Sequence, residues 1–374
     1  MNLEDSDALI AAPPDAREAR SAAIKSFLDR FARSPHQDLL ADMLVTICRL
    51  ATDGCQRGEL KILSRSLKEL RYAFKVFEPY ADTPKVSIFG SARTPEDHPQ
   101  YVQAVKFARL IQERGWMVIT GAGNGIMQAG HHGATREASF GVAISLPFEQ
   151  STNAVIADDD KLINFRYFFT RKLLFVKEAR AIVLFPGGFG TQDEGFEALT
   201  LVQTGKANPM PIVMIDEPGG TYWPHWRTYV EKELLRTGMI SPDDMNLFYV
   251  TDSAEDGVRE VIHFYRRYHS CRYVRDELVL RMNSTLDDGS LIGLNKQFAD
   301  ILTGGVIRQH DQALDDENGE FPDKPRLVLN FNKRSAGRLR QLINFLNDAP
   351  PPPDSRAAAA EGEAPVGEAS GFPI

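Results

Sequence analysis

Five apolar residues, Ala181-Ile182-Val183-Leu184-Phe185, run directly into Pro186-Gly187-Gly188-Phe189-Gly190-Thr191-Gln192-Asp193-Glu194. An amphipathic stretch from Gly195 to Thr204 follows. The apolar run has the character of a strand buried on both faces, and the amphipathic stretch has that of a helix. A glycine-rich turn between the two leaves backbone N–H groups pointing outward at the positive end of the helix, an arrangement suited to a phosphate. Glu194 stands one turn into that helix, so a carboxylate is expected beside the anion site. Thr191 and Glu194 also fit a capping box, the simpler use of the same residues. Three glycines in four positions exceed what a cap needs; they permit close backbone approach and positive φ angles.

The same alternation extends on both sides. Strands are expected at Val86–Phe89, Trp116–Thr120, Gly141–Leu146, Ala181–Phe185, Pro211–Ile215 and Leu247–Val250. Helices are expected at Gln100–Arg114, Ile126–Ala138, Phe165–Ala179, Trp223–Thr237 and Ala254–Tyr268. Regular β-α alternation with short connections predicts an α/β fold, a doubly wound Rossmann-like parallel sheet over residues 81–268. Upstream, helical periodicity predicts three helices at 16–33, 36–52 and 57–77, a helical N-terminal extension over 16–80. Downstream, strands at Val274–Met282 and Pro325–Asn330 and a helix at Arg338–Phe345 predict a small α+β C-terminal appendage over 269–346. Residues 1–15 and the Pro- and Ala-rich residues 347–374 lack the apolar content for a core and are expected to be disordered.

Composition narrows the functional classes. The chain has 374 residues, 43% of them hydrophobic, and a net charge of −8, an acidic balance that argues against binding a nucleic-acid polymer. No apolar run is long enough for a membrane span, and Met1–Asp7 lacks the apolar core of a signal peptide. Three scattered cysteines, Cys48, Cys55 and Cys271, fit a reducing cytoplasm better than a disulfide framework. The first two are read as packing residues on one helix face, and no metal site is expected.

Further candidates lie where the predicted strands end. Phe89-Gly90-Ser91-Ala92-Arg93 follows the first strand and offers a hydroxyl and free amides, or only a turn. Gly121-Ala122-Gly123-Asn124-Gly125-Ile126-Met127 follows the second. Its glycine spacing departs from the dinucleotide fingerprint, and the position that should carry a ribose-binding acid lies near Ser145, so NAD is disfavoured. Pro147–Gln150 and Asn153 could line a cleft or make a loop. On the Phe165–Ala179 helix, Arg171 and Lys172 flank an apolar face of Phe165, Phe168, Phe169, Leu173 and Val176, so the two are either a solvated basic pair, the usual outcome, or one of them points over the sheet end. His131 and His132 lack a carboxylate at metal spacing and read as packing residues.

Taken together, these segments resemble the LONELY GUY (LOG) family, whose members also carry the label lysine decarboxylase. The resemblance rests on Gly90–Arg93, Gly121–Met127, Leu146–Gln150 with Asn153, Tyr167–Lys172 and Pro186–Glu194, in that order, and covers about half of the chain. It is closest to long bacterial members with extra segments at both ends. Two positions depart from the family pattern: Ala122 stands where a third glycine is usual, and Gln192 replaces a usual Leu or Met. The resemblance implies a phosphoribohydrolase, AMP nucleosidase-like, that cleaves the N-glycosidic bond of a nucleoside 5′-monophosphate such as AMP or a cytokinin riboside monophosphate. It implies that Gly187, Gly188, Gly190 and Thr191 cradle the phosphate, that Glu194 and Arg171 are catalytic, and that Ser91, Gly123, Gly125, Met127 and Lys172 line the nucleotide pocket. It further implies a homo-oligomer, at least a dimer, working without a cofactor. Two other readings compete: a nucleotide-binding or carrier protein of the same fold, and a pyridoxal-phosphate decarboxylase. The second is disfavoured because no lysine is paired with an acid suited to the pyridine nitrogen.

Overall fold

A computed structural model describes residues 14–145, 152–317 and 319–350. The chain divides into two compact units, Met1–Lys68 and Glu69–Ile374. In the first, α1 (Pro14–Phe31) and α2 (Gln37–Thr52) pack as a helical hairpin, and α3 (Arg57–Phe77) begins. Pro14 opens α1, where its missing N–H and fixed φ do no harm, so the helix starts inside the segment expected to be disordered. The N-terminal boundary expected at 80/81 moves into α3. There the buried Glu69 accepts from the Arg166 amide (2.9 Å) and the Thr170 hydroxyl (2.8 Å), which ties the second half of α3 to the second unit. Cys48 and Cys55 do not share a helix, because α2 ends at Thr52. Residues 1–13 and 351–374 lie outside the described residues.

In the second unit β1 (Lys85–Phe89), α4 (Pro99–Gln112), β2 (Met117–Thr120), α5 (Ile126–Ala134), β3 (Ser139–Ile144), β4 (Leu162–Phe165), α6 (Phe168–Lys177), β5 (Ala181–Leu184), α7 (Phe189–Gln203), β6 (Ile212–Ile215), α8 (Tyr222–Tyr229), β7 (Tyr249–Thr251) and α9 (Ala254–Phe264) follow in turn. The seven strands form one parallel sheet in the order β4-β3-β2-β1-β5-β6-β7. Every residue of β1, β2, β5 and β6 is buried, which is why β5 and β6 read as unbroken apolar runs, while β1 and β2 also bury Lys85, Ser87 and Thr120. Side chains alternate between faces. Ala181 and Val183 join a core with α4, α5 and α9, and Ile182 and Leu184 join one with α3, α6, α7 and α8. Fully burying a side chain such as Phe107 or Phe175 stabilises by about 2–3 kcal/mol.

The strand order fixes where a ligand can sit. The chain starts at β1 in the middle, winds outward to β4, then returns to the other side of β1 as β5. The loops after β1 and β5 therefore leave in opposite directions and open a crevice at the carboxyl edge. The Ser91 amide donates to the Pro186 carbonyl (3.1 Å) at its floor.

The remaining residues form β8 (Tyr268–Val274), β9 (Glu277–Met282), α10 (Asp288–Gln297), β10 (Arg308–His310), β11 (Arg326–Leu329) and α11 (Ala336–Asp348). Their antiparallel sheet, in the order β10-β11-β9-β8, carries its own core with α10 and α11. Several local expectations change. Phe165 ends the edge strand β4 and is not part of α6. The single strand expected at Val274–Met282 is half of a hairpin, so Tyr268 opens β8. The α7 helix starts at Phe189, six residues early. Residues 347–350 are not a loose tail: Asn347 is buried in α11, and the Arg267 guanidinium donates to the Ala349 (3.3 Å) and Pro350 (2.9 Å) carbonyls.

Candidate active site

The crevice at the β1/β5 switch point is a cleft of about 800 Å3, within the range of small-molecule sites. Gly90–Arg93, Gly121 and Met127, Arg171 of α6, and Gly187–Gln192 with Glu194 all line it. The structure thus brings together segments far apart in the chain.

At its centre is the start of α7. Gly188 is the N-cap and makes no side-chain cap bond, so Thr191 and Glu194 lie inside the helix and do not form a capping box. Among the described residues, the amides of Phe189 and Gly190 have no acceptor. Two N–H donors at a helix mouth therefore face the cleft unpaired, with the helix dipole behind them. None of the three glycines has a positive φ, so of the two expected uses only close approach remains. A Cβ on Gly187 would stand 2.1 Å from the Thr191 hydroxyl, so that glycine is required by close packing. A Cβ on Gly188 or Gly190 would meet nothing within 4 Å. The protein's own packing does not demand glycine at those two positions, and the space beside the amides stays open.

Glu194 is only 7% exposed. Its carboxyl oxygens lie 3.8 Å from an Arg171 nitrogen and 3.6 Å from Lys172 Nζ, close enough for attraction but beyond hydrogen-bond reach. Burial therefore wins: loss of water pushes the carboxyl up to about 7, against the pull of Lys172 and Arg171. Arg171 passes between the Phe168 and Phe175 rings, 5.0 and 5.5 Å from their centroids, and its buried Nε has no partner among the described residues. Besides approaching Glu194, the Lys172 ammonium pairs with Asp193 (2.7 Å) and Glu197 (2.6 Å), and Lys172 is not among the residues that line the cleft. Residues next to each other on a helix diverge by about 100°, which separates the two cations. Phe168 and Phe169, expected in the apolar face of α6, are half exposed; Leu174 and Phe175 are buried there instead.

Gly123 and Gly125 also stand behind the cleft wall. Gly125 has φ +62°, and a Cβ there would lie 2.3 Å from the Ser91 carbonyl oxygen, so this glycine lets the turns after β1 and β2 touch. The Gly123 carbonyl accepts from Asn153 Nδ2 (2.9 Å), as does that of Ala122 (3.0 Å). With both Nδ2 hydrogens so engaged, Asn153 accepts at Oδ1 from Nδ1 of buried His131 (3.3 Å), whose pKa burial lowers to about 4, so that the ring is neutral. The two are structural anchors for a turn in which Ala122 adopts φ 62°. Residues 146–151, including Pro147–Gln150, lie outside the described residues.

Tyr222, at the start of α8, was not foreseen. Its hydroxyl donates to the Gly187 carbonyl (2.5 Å) and accepts from Gln192 Nε2 (2.6 Å), clasping the glycine turn. Gln192, noted as a departure from the family, was the one local signal of this contact.

Fold and site together define a doubly wound α/β protein with an uncapped helix mouth and a buried carboxyl at its switch-point crevice. A family described as "Possible lysine decarboxylase" matches residues 123–261. The chain is 30% identical over 161 residues to the cytokinin riboside 5′-monophosphate phosphoribohydrolase of Mycobacterium tuberculosis, spanning 42% of this chain and 82% of that protein. The protein of the same name from Mycobacterium marinum is 26% identical over 168 residues, 43% of this chain and 86% of that one. The chain belongs to this family, the LONELY GUY family. Among solved structures it also resembles a Moco carrier protein from Chlamydomonas reinhardtii, at 18% identity and a TM-score of 0.33, over 48% of this chain and 98% of that chain. A likeness at that level speaks to neither activity nor ligand.

Proposed function

We propose that this protein hydrolyses the N-glycosidic bond of nucleoside 5′-monophosphates, releasing the free base and ribose 5-phosphate. The observation that carries the reading is Glu194: a buried carboxyl with a pKa raised to about 7, one turn inside a helix whose first amides lack acceptors among the described residues. The 5′-phosphate sits on the amides of Phe189 and Gly190 and the Thr191 hydroxyl. Its binding energy, remote from the reacting carbon, holds the sugar in place. Breaking the bond gives the ribose oxocarbenium character. The Glu194 carboxylate stabilises that positive charge and takes a proton from the attacking water, and its pKa near neutrality suits a general base. Arg171 offers its unpartnered Nε to a substrate oxygen beside the same carboxylate. The 30% identity over 161 residues to a phosphoribohydrolase supports the reading.

The test is a chromatographic screen of AMP, GMP, IMP, CMP, UMP and isopentenyladenosine monophosphate for released base together with ribose 5-phosphate. Stoichiometric appearance of both from at least one substrate is expected. Tight binding with every nucleotide left intact would make the protein a binder or carrier and overturn the proposal.

A further inference from the structure

The seam between the parallel sheet and the C-terminal appendage holds a second cavity, which shares no residue with the cleft. Both of its walls belong to the second unit. One wall is the end of α7 and the loop after it, residues 202–205 and 207–210. The other is built from β8, β9, Phe331 and the start of α11. The floor is apolar: Met210, Leu247, Cys271, Leu278, Phe331 and Leu339 are all buried there. The Cys271 thiol donates to the Asn208 side-chain oxygen (3.6 Å), and burial pushes its pKa up to about 11, so it adds wall and no nucleophile.

The walls cannot close on this space. Gly337 at the start of α11 packs so tightly on the Asp243 carbonyl that a Cβ has no room, and Gln203 of α7 donates to Asp244 (2.8 Å). Arg340 ties α11 to Glu260 of α9. The cavity measures about 140 Å3. Cores leave few voids larger than one water, and an apolar cavity of about 150 Å3 stays dry and admits a molecule the size of benzene.

Charge selects the rest of the ligand. Three cations line the cavity, Arg272, Lys333 and Arg340, and no Asp or Glu does, in a chain of net charge −8. Arg272 pairs with Glu320 (3.1 Å) and Arg340 with Glu260. Lys333 stands over the Tyr273 ring, 5.0 Å from its centroid, and among the described residues no carboxylate pairs with it. Its backbone has φ 59°, in the left-handed region that favours glycine or asparagine. Such strain is found where the side chain has a task.

We propose that this cavity is a second ligand site, for a small aromatic acid whose ring fills the apolar chamber and whose carboxylate rests on the Lys333 ammonium. The Tyr273 and Phe331 rings in the wall favour an aromatic ring over an aliphatic chain. One unpaired cation suits a single negative charge. A nucleotide is too large and too polar for the chamber, so the site does not duplicate the cleft.

The experiment is calorimetric titration of the full chain with benzoate, and with benzamide as its neutral counterpart. Benzoate should bind once per chain with a Kd below about 1 mM, and benzamide about tenfold more weakly or worse. Lys333→Met keeps the reach of the side chain and removes its charge, and should raise the benzoate Kd by about tenfold or more. Ala336→Phe places a ring in the chamber and should abolish binding while the protein still melts cooperatively. Absence of saturable benzoate binding up to about 10 mM overturns the proposal. So does benzamide binding as tightly as benzoate, or an unchanged Kd in the Lys333→Met protein. Benzoate retained by a folded Ala336→Phe protein sits elsewhere and overturns it too. If Ala336→Phe does not fold, Lys333→Met decides.

Discussion

A carboxyl kept out of water should cost the fold something, and replacing Glu194 with Gln makes the cost measurable. The unfolded chain ionises this group near 4.5 and the folded protein near 7. Below the lower value both states hold the proton and there is no penalty. Between the two the unfolded state ionises first and gains, and above the upper value the penalty is complete. A shift of that size corresponds to about 3 kcal/mol. Gln resembles the protonated acid in shape and charge, so the variant escapes the penalty. At pH 8 the E194Q protein should be more stable than the wild type by about 2–3 kcal/mol, or about 5 °C in melting temperature for a unit of roughly 300 residues. At pH 4.5 the two should melt together. Base release should meanwhile fall by about 10³-fold or more, because both the proton acceptor and the negative charge are gone. The wild-type kcat/KM should rise with pH through the same value near 7. Paired melting curves across pH, with steady-state kinetics on whichever nucleotide is hydrolysed, supply all three readings. A variant less stable than the wild type at pH 8, or a stability difference that ignores pH, would refute the account of burial.

Three other changes probe separate parts of the structure. Gly188→Ala fills space that no described residue occupies, so melting should move by less than about 1 kcal/mol while nucleotide affinity falls at least tenfold; unchanged affinity by calorimetry would remove the anion from the helix mouth. Tyr222→Phe deletes the hydroxyl that fixes the Gly187 carbonyl, and one such bond is worth about 1–1.5 kcal/mol, so KM for a monophosphate should rise about tenfold with kcat largely retained. An unchanged KM would make the clasp incidental. Asn347→Ala strips partners from the buried amides of Arg267 and Tyr268 and from the Phe264 carbonyl, and should destabilise by about 3–5 kcal/mol in urea titrations; a loss under 1 kcal/mol would contradict its role.

The parallel sheet was legible because double-sided burial writes itself as an apolar run, as at Ala181–Leu184 and Ile212–Ile215. The short edge strand Leu162–Phe165 was not, because only two of its four residues are buried and Phe165 also fits the period of the helix after it. Glu194, Arg171 and the glycine turn could be picked out from local pattern. Their companions could not. Tyr222 reaches Gly187 across 35 positions, and only the unusual Gln192, which also bonds Tyr222, hinted at that contact. Lys172 was placed in the pocket by its neighbour's company, although the helix turns it toward Asp193 and Glu197. The start of α7 was hidden because Gly187, Gly188 and Gly190, on either side of its first residue, read as a turn. The role of Asn347 was hidden because a lone polar residue beside a proline run carries no sign of burial.

The order of the strands also bears on how the molecule is made. As the polypeptide emerges from the ribosome, β1 acquires β2, β3 and β4 on one side only. Its other edge stays bare until Ala181–Leu184 has been synthesised and slots in beside it. The event that caps this vulnerable edge is the same one that brings Pro186 against Ser91, so a nascent chain cannot own a binding crevice before its sheet is sealed.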